Sequence, residues 1–254
     1  MRTVLIADIH GNRFALEHVL QHIDAEAVDQ IVCLGDCAVL GPDPHGALML
    51  IREHAAVTVM GNADGWIRDA ISNQPPCSSS SPLFNTITAW TYTQLTDLDR
   101  TWIANLPPTA TVALGEGRTL AAFHGSPRSY DDVIDAISGA DQIAEMTSSF
   151  TADILSGGHT HVPLLRHLRN GVLVNPGSVG LPGTGPGTPG LVINENVCWV
   201  DYATVSTEPS GAISIAFHRL PVPVADMIAE AETSGMPGLA WWRACWQHPS
   251  DRHV

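Results

Sequence analysis

Hydrophobic residues along the chain alternate between two periods. Thr3-Val4-Leu5-Ile6-Ala7 is a short apolar, β-branched run, which reads as a buried strand. Leu16, Val19, Leu20 and Ile23 then recur at helical spacing behind Asn12, a plausible N-cap. Gln30 to Leu34 is a second buried strand, ending in Gly35-Asp36. Strand, helix and strand, with both strands almost wholly apolar, predict a parallel βαβ unit. Asp8 and Asp36 then share the carboxyl edge of the sheet, where open α/β sheets bind ligands.

The pattern continues in the same style. Asp43-Pro44 marks the start of a helix reaching about His54. Val57 to Met60 is a third strand, ending in Gly61-Asn62-Ala63-Asp64, and Asp64 reads as a cap for a short segment over 65–72. Gln74 to Pro82 is rich in Ser and Pro and reads as a loop. Ile87, Trp90, Leu95, Leu98, Trp102 and Leu106 predict two inserted helices, the second opened by a Thr96–Asp99 capping box. The tryptophans there read as core. Val112–Leu114 and Thr119–Phe123 form a hairpin around Gly115-Glu116-Gly117, and Leu164–Leu168 with Val172–Asn175 another around Asn170-Gly171.

Residues 131–150 read as mostly helical with a break near Ser138-Gly139, and 153–156 as a strand. The Gly- and Pro-rich stretch 176–190 reads either as a connection or, near Gly177-Ser178, as backbone lining a site. Strands are expected over 191–194, 197–200 and 213–217, a helix over 224–234, and an ambiguous tail from Trp241. No internal repeat or domain boundary emerges. The expectation is one domain over 1–254, with a helical insertion at about 65–108 and a helical tail at about 223–254.

Composition narrows the function. Lys and Arg total 12 against 26 Asp and Glu, a net charge of −14, which argues against nonspecific nucleic-acid or anionic-membrane binding. The five scattered cysteines suggest neither a zinc ribbon nor a redox pair. No signal peptide or membrane-length apolar run is evident, so a cytoplasmic location is expected.

The strand ends carry the candidate chemistry. Asp8 and His10, spaced i and i+2, would point to one side in extended backbone. Asp36, Asn62, His124, His159 and His161 follow other strands. These are oxygen and nitrogen donors without a thiolate, which suits manganese, iron or zinc. The remaining histidines (18, 22, 45, 54, 167, 218, 248 and 253) read as surface or packing residues.

In this order, Asp8-x-His10, Gly35-Asp36, Gly61-Asn62, His124 and Gly158-His159-x-His161 resemble the calcineurin-like metallophosphoesterase superfamily. His124-Gly125-Ser126-Pro127 and Asn175-Pro176-Gly177-Ser178 resemble its compact bacterial and archaeal phosphodiesterase-like branch. The resemblance spans about residues 1–220 and implies a four-layer α/β/β/α sandwich with two divalent metals. Manganese is the leading expectation, with iron, zinc or nickel as alternatives. It implies that Asp8, His10 and His161 hold one ion, that Asn62, His124 and His159 hold the other, and that Asp36 bridges them. Asp36, Asn62 and His124 would also be catalytic, with in-line attack on phosphorus by a metal-bridging hydroxide. Asn12 and Arg128 are substrate-contact candidates; a helix cap and a surface charge are their alternative readings.

The implied activity is hydrolysis of phosphodiesters or activated phosphomonoesters. The alternatives are a phosphoprotein or dinucleoside-polyphosphate phosphatase, or a catalytically weak metal-binding regulatory protein. The expected partner is a small-molecule or phosphoester substrate, and an oligomer is left open. One departure stands out: the family's Gly-Asn-His block reads Gly61-Asn62-Ala63 here, without the His thought to assist the leaving group.

Overall fold

The structure, a computed structural model, describes residues 1–24, 27–71, 81–169, 171–183 and 197–246. The predicted strand over 191–194, most of the loop over 74–82, Asn170 of the second hairpin turn and the tail beyond 246 lie outside them.

The chain begins with β1 (Arg2–Ile6), α1 (Arg13–Asp24), β2 (Gln30–Cys33), α2 (Pro44–His54), β3 (Val57–Thr58) and α3 (Asn62–Ile71). Two further helices follow, α4 (Pro82–Gln94) and α5 (Asp97–Ala104), then the hairpin β4 (Ala110–Ala113) and β5 (Thr119–Ala122). After these come α6 (Ala140–Thr147), β6 (Ile154–Ser156), β7 (Leu164–Leu168) and β8 (Gly171–Asn175). The described chain closes with β9 (Trp199–Thr207), β10 (Ile213–Pro221), α7 (Val224–Glu232) and α8 (Leu239–Ala244).

The strands form two five-stranded sheets, ordered β10-β9-β1-β2-β3 and β4-β5-β6-β8-β7. β1, β2 and β3 are parallel, as are β5, β6 and β8, so their carboxyl ends all open on one edge. Alternation along single strands builds the layers. Val4 and Ile6 of β1 pack under the helices with Leu16, Val19 and Leu20 of α1, whereas Leu5 faces the second sheet. In β5, Leu120 and Ala122 face the first sheet, whereas Ala121 packs with Ile143 and Met146 of α6. A side-chain period of two therefore gives each central strand two apolar faces and the molecule four layers, α/β/β/α.

Local signals hold where sequence-adjacent chemistry decides. Asp43 caps α2 by accepting from Gly46 N–H, and the Thr96–Asp99 capping box opens α5. Trp90 and Trp102 pack against the helical core.

Three expectations are corrected. The mostly helical reading of 131–150 reduces to α6. Before it, Asp135 accepts the N–H groups of Ile137 and Ser138, and the Arg166 Nη1 of β7 donates to the carbonyls of residues 135, 136 and 138. Those side-chain bonds replace helical ones. The strand expected over 197–200 begins at Trp199 and runs to Thr207, and that over 213–217 runs on to Pro221. Asp201 is tolerated inside β9 because Arg219 sits directly opposite and pairs with it at 2.8 Å.

Candidate metal centre

The candidate residues follow the ends of β1, β2, β3, β5 and β6, but their backbone is not extended. Asp8, His10, Asp36, His159 and His161 all have positive φ, between 49° and 70°. Left-handed backbone is uncommon for non-glycine residues and concentrates at functional sites. This corrects the expected extended i, i+2 placement: Asp8 and His10 converge through tight turns beyond the strand.

Neighbouring segments hold these turns. Asp8 and His10 N–H donate to the carbonyls of Gly35 and Asp36. Ser178 Oγ donates to the Asp8 carbonyl at 2.8 Å and accepts from Leu181 N–H. Gly180 has to be glycine, since a β-carbon there would lie 1.9 Å from the Ile9 carbonyl oxygen. Asn175 Nδ2 donates to the Gly158 carbonyl and to Thr160 Oγ1, which fixes the turn carrying His159 and His161.

The imidazoles show what the site accepts. His10 Nδ1 lies 2.8 Å from the Val39 carbonyl, His161 Nδ1 2.7 Å from that of Leu181, and His124 Nδ1 2.8 Å from that of Leu34. A carbonyl only accepts, so each Nδ1 carries a hydrogen, and it is Nε2 that offers a lone pair whenever the ring is neutral. Those Nε2 atoms converge. His10 Nε2 and His161 Nε2 are 3.0 Å apart, and His124 Nε2 lies 3.0 Å from Asn62 Oδ1. His161 Nε2 is 3.4 Å from Asp8 Oδ1, and His124 Nε2 is 3.5 Å from Asp36 Oδ2. Asp8, His10, Asp36 and His161 offer ligand atoms all within 4.8 Å of one another. The His124 and His159 rings lie alongside, with centroids 5.1 Å apart.

Two buried carboxylates need positive charge beside them, from protonated imidazoles or from a cation. Burial opposes ionisation of Asp8, but His161 and His124 outweigh it and hold its carboxyl below the usual range. Burial likewise opposes the Asp36 charge, and His124 and His10 overcome it. Burial disfavours a charged His124 too, yet Asp36 and Asp8 push it up to about 10. Burial, followed by the His124 charge, lowers His159 to about 4. Burial and then His161 lower His10. The donor set therefore fits divalent cations of the manganese, iron or zinc type: anionic oxygens and imidazole nitrogens, with ring orientation set by backbone carbonyls.

The two substrate-contact candidates differ. Asn12 is buried and its side chain is engaged: Oδ1 accepts from Ala15 N–H, capping α1, and Nδ2 donates to the Gly180 carbonyl. Arg128 lies on the loop after His124, with Nε on Asp132 and Nη1 on Glu145. Burial opposes ionisation of Asp132, and Arg128, Ser126 and, least, His159 outweigh it and hold its carboxyl below the usual range.

Sequence reasoning missed the carbonyls of Leu34, Val39 and Leu181, which no residue type could have announced. It also underread Asp64. The carboxyl of Asp64 does cap α3 by accepting from Gly61 N–H, but it accepts from Asp36 and Cys37 N–H as well. Burial and then the Asp36 charge push it up to about 6.

Known proteins agree with this architecture. A crystal structure of a metallophosphoesterase from Sphaerobacter thermophilus is 28% identical, matches with a TM-score of 0.71, and aligns over 96% of this chain and 100% of that one. A hypothetical protein from Pyrococcus horikoshii, 16% identical, shares the fold with a TM-score of 0.78 over 97% of this chain and 99% of its own. An uncharacterised protein of Methanocaldococcus jannaschii is 25% identical over 207 residues, 71% of this chain and 77% of that protein. The family model of the calcineurin-like phosphoesterase superfamily domain matches residues 1–195. With that match over most of its length, and with its Asp and His side chains gathered at the shared edge of two sheets, the chain belongs to the calcineurin-like phosphoesterase superfamily.

Proposed function

We propose that the chain is a divalent-metal-dependent phosphoesterase acting on phosphodiesters or activated phosphomonoesters, with residues 1–254 forming one such domain. The observation that carries this reading is the facing pair of His10 and His161 Nε2 atoms, each with its Nδ1 committed to a backbone carbonyl. Asp8, His10 and His161 would hold one ion, and Asn62, His124 and His159 the other, with Asp36 between them. When bound, two divalent cations would supply Lewis acidity to the phosphoryl oxygens and an acidified water for attack.

The chain's own residues orient and select. The carbonyls of Leu34, Val39 and Leu181 keep three imidazoles aimed inward. Arg128, on the loop after His124 and bonded to Asp132 and Glu145, would contact the substrate. Ala63 provides no proton donor, and its N–H is given to Asp36 Oδ1. Leaving groups that depart as anions are therefore favoured over alkoxides. A cytoplasmic location belongs to the same proposal; among the described residues no helix is long and apolar enough to cross a membrane.

The test is elemental analysis of protein prepared in excess Mn²⁺, Fe²⁺, Zn²⁺ or Ni²⁺, followed by a series of aryl and alkyl phosphodiesters. Bound metal and a steep fall in rate with rising leaving-group pKa are expected. Absence of bound transition metal would overturn the reading. Bound metal without turnover of any aryl ester would favour the regulatory alternative.

A further inference from the structure

We infer that Asp64 is the positioning residue of this centre: it ties the turn carrying Asp36 to the turn carrying Asn62, and so sets the affinity for metal. The inference rests on the metal-centre reading above.

Asp64 is fully buried in the first turn of α3 and reaches back across the sheet edge. Its Oδ2 accepts the N–H of Asp36 at 2.8 Å and of Gly61 at 3.0 Å, and its Oδ1 accepts the N–H of Cys37 at 2.9 Å. The tie is reciprocal. Asp36 Oδ1 accepts the Ala63 N–H at 2.8 Å, so each carboxylate is held by the other's turn. Asp36 has φ 56°, a left-handed state that a non-glycine residue keeps only where its surroundings enforce it. Asp64 binds the two amides on either side of the Asp36 side chain's own peptide and is therefore placed to enforce it.

Close approach is part of the same device. A β-carbon on Gly61 would lie 2.1 Å from Asp36 Oδ1 and 2.4 Å from Asp36 N. The two turns can lock only because that position is glycine. Ala63 lies between them in the apolar core and makes no claim on Asp64. Both Asp64 oxygens are thus free for backbone amides. Asparagine at 64 keeps the size but replaces one acceptor edge with an NH₂ group, which would oppose a backbone N–H.

The experiment uses the full chain stripped of metal and titrated with Mn²⁺ by calorimetry, comparing wild type, Asp64→Asn and Gly61→Ala. Loss of a group that orients a metal ligand weakens binding about 10–100-fold, and that loss is expected for both variants. Asp99→Asn, a buried carboxylate in the helical layer, is the control: it should lower the melting temperature and leave Mn²⁺ affinity unchanged. Amide exchange on metal-free wild type needs no variant; the Asp36 and Cys37 amides should be strongly protected. Wild type that binds no Mn²⁺ would remove the metal-centre reading and this inference with it. Wild type that binds, beside variants of equal affinity, would overturn the role of Asp64 alone. So would variants whose affinity loss only tracks their loss of stability as in Asp99→Asn, or fast exchange at Asp36 and Cys37.

Discussion

Two regions of this protein place histidine against buried aspartate, with opposite results. In the helical layer, Asp99 is buried between α2 and α5. Its Oδ2 accepts from Thr96 N–H, Thr96 Oγ1 and, at 2.7 Å, His45 Nδ1. Arg52 Nη2 lies 2.9 Å from its Oδ1. There three donors share Oδ2 and a full positive charge stands beside Oδ1, so the carboxylate's charge is met within the protein. At the sheet edge, by contrast, three histidines spend Nδ1 on carbonyls and turn Nε2 toward Asp8 and Asp36. Among the described residues, the ion-pair partners of those two carboxylates are all imidazoles. The lesson is that residue types alone do not mark a metal centre. Which ring nitrogen the backbone engages decides whether a His–Asp cluster is complete or calls for a cation.

The largest effect that would sharpen this contrast is on stability. Asp99→Ala should cost about 3–5 kcal/mol in denaturant melts, because Arg52 is left without its buried partner and α5 without its capping box. Its Mn²⁺ affinity should match wild type; a large loss of affinity would show that the two clusters are not independent. At the other pole, Asp36→Asn should lower Mn²⁺ affinity by at least about a hundredfold, exceeding the effect of a residue that only orients a ligand. Unaltered affinity by calorimetry would break the comparison, since the sheet-edge cluster would then be as self-sufficient as the Asp99 cluster.

Metal removal gives a smaller, quantitative check. With free metal at a hundred times Kd, binding adds about 2.7 kcal/mol. Chelation should then lower the melting temperature by roughly 5–10 °C in a chain of this size. The same shift is expected in Asp99→Asn, because distant sites add.

The smallest effect is acid sensitivity. Burial works against the Asp99 charge, but the Thr96 hydroxyl and N–H, and then His45, hold its carboxyl below the ordinary value of 3.8. A carboxyl depressed in the fold adds stability above that value and loses it as pH falls through the folded one. The stability gap between wild type and Asp99→Asn should therefore be full above about pH 4 and narrow below it. A gap that widened on acidification would reverse the assigned direction.

Position 63 offers a further warning about transferring residues by alignment. By residue type alone, Ala63→His restores the family's missing imidazole, with Asp64 to orient it. In the fold, both Asp64 oxygens are taken by backbone amides and Ala63 is fully buried in the apolar core. The substitution should instead destabilise by about 1–3 kcal/mol through overpacking. A gain in turnover on alkyl esters would show that the imidazole finds another way out.

Much of this protein was determined by local order. The continuous apolar runs and the helical stripe between them placed β1, α1 and β2 and implied their parallel pairing, because strands apolar on both faces are buried on both. Asp43, Thr96 and Asp99 announced helix starts because a cap bonds residues within one turn. The ordered Asp, Asn and His blocks named the candidate donors for the same reason: a strand end delivers whatever follows it. What only tertiary structure decided were features whose partners lie far apart in sequence. The break before α6 depends on Arg166, and the length of β9 on the opposed Asp201 and Arg219. The left-handed turns of Asp8 and Asp36 depend on backbone groups from other strand ends. The choice of Nδ1 as the tied nitrogen depends on carbonyls at Leu34, Val39 and Leu181, and every residue type has a carbonyl. A backbone acceptor carries no sequence signature, so the orientation that makes these histidines a candidate metal centre is visible only once the chain is folded.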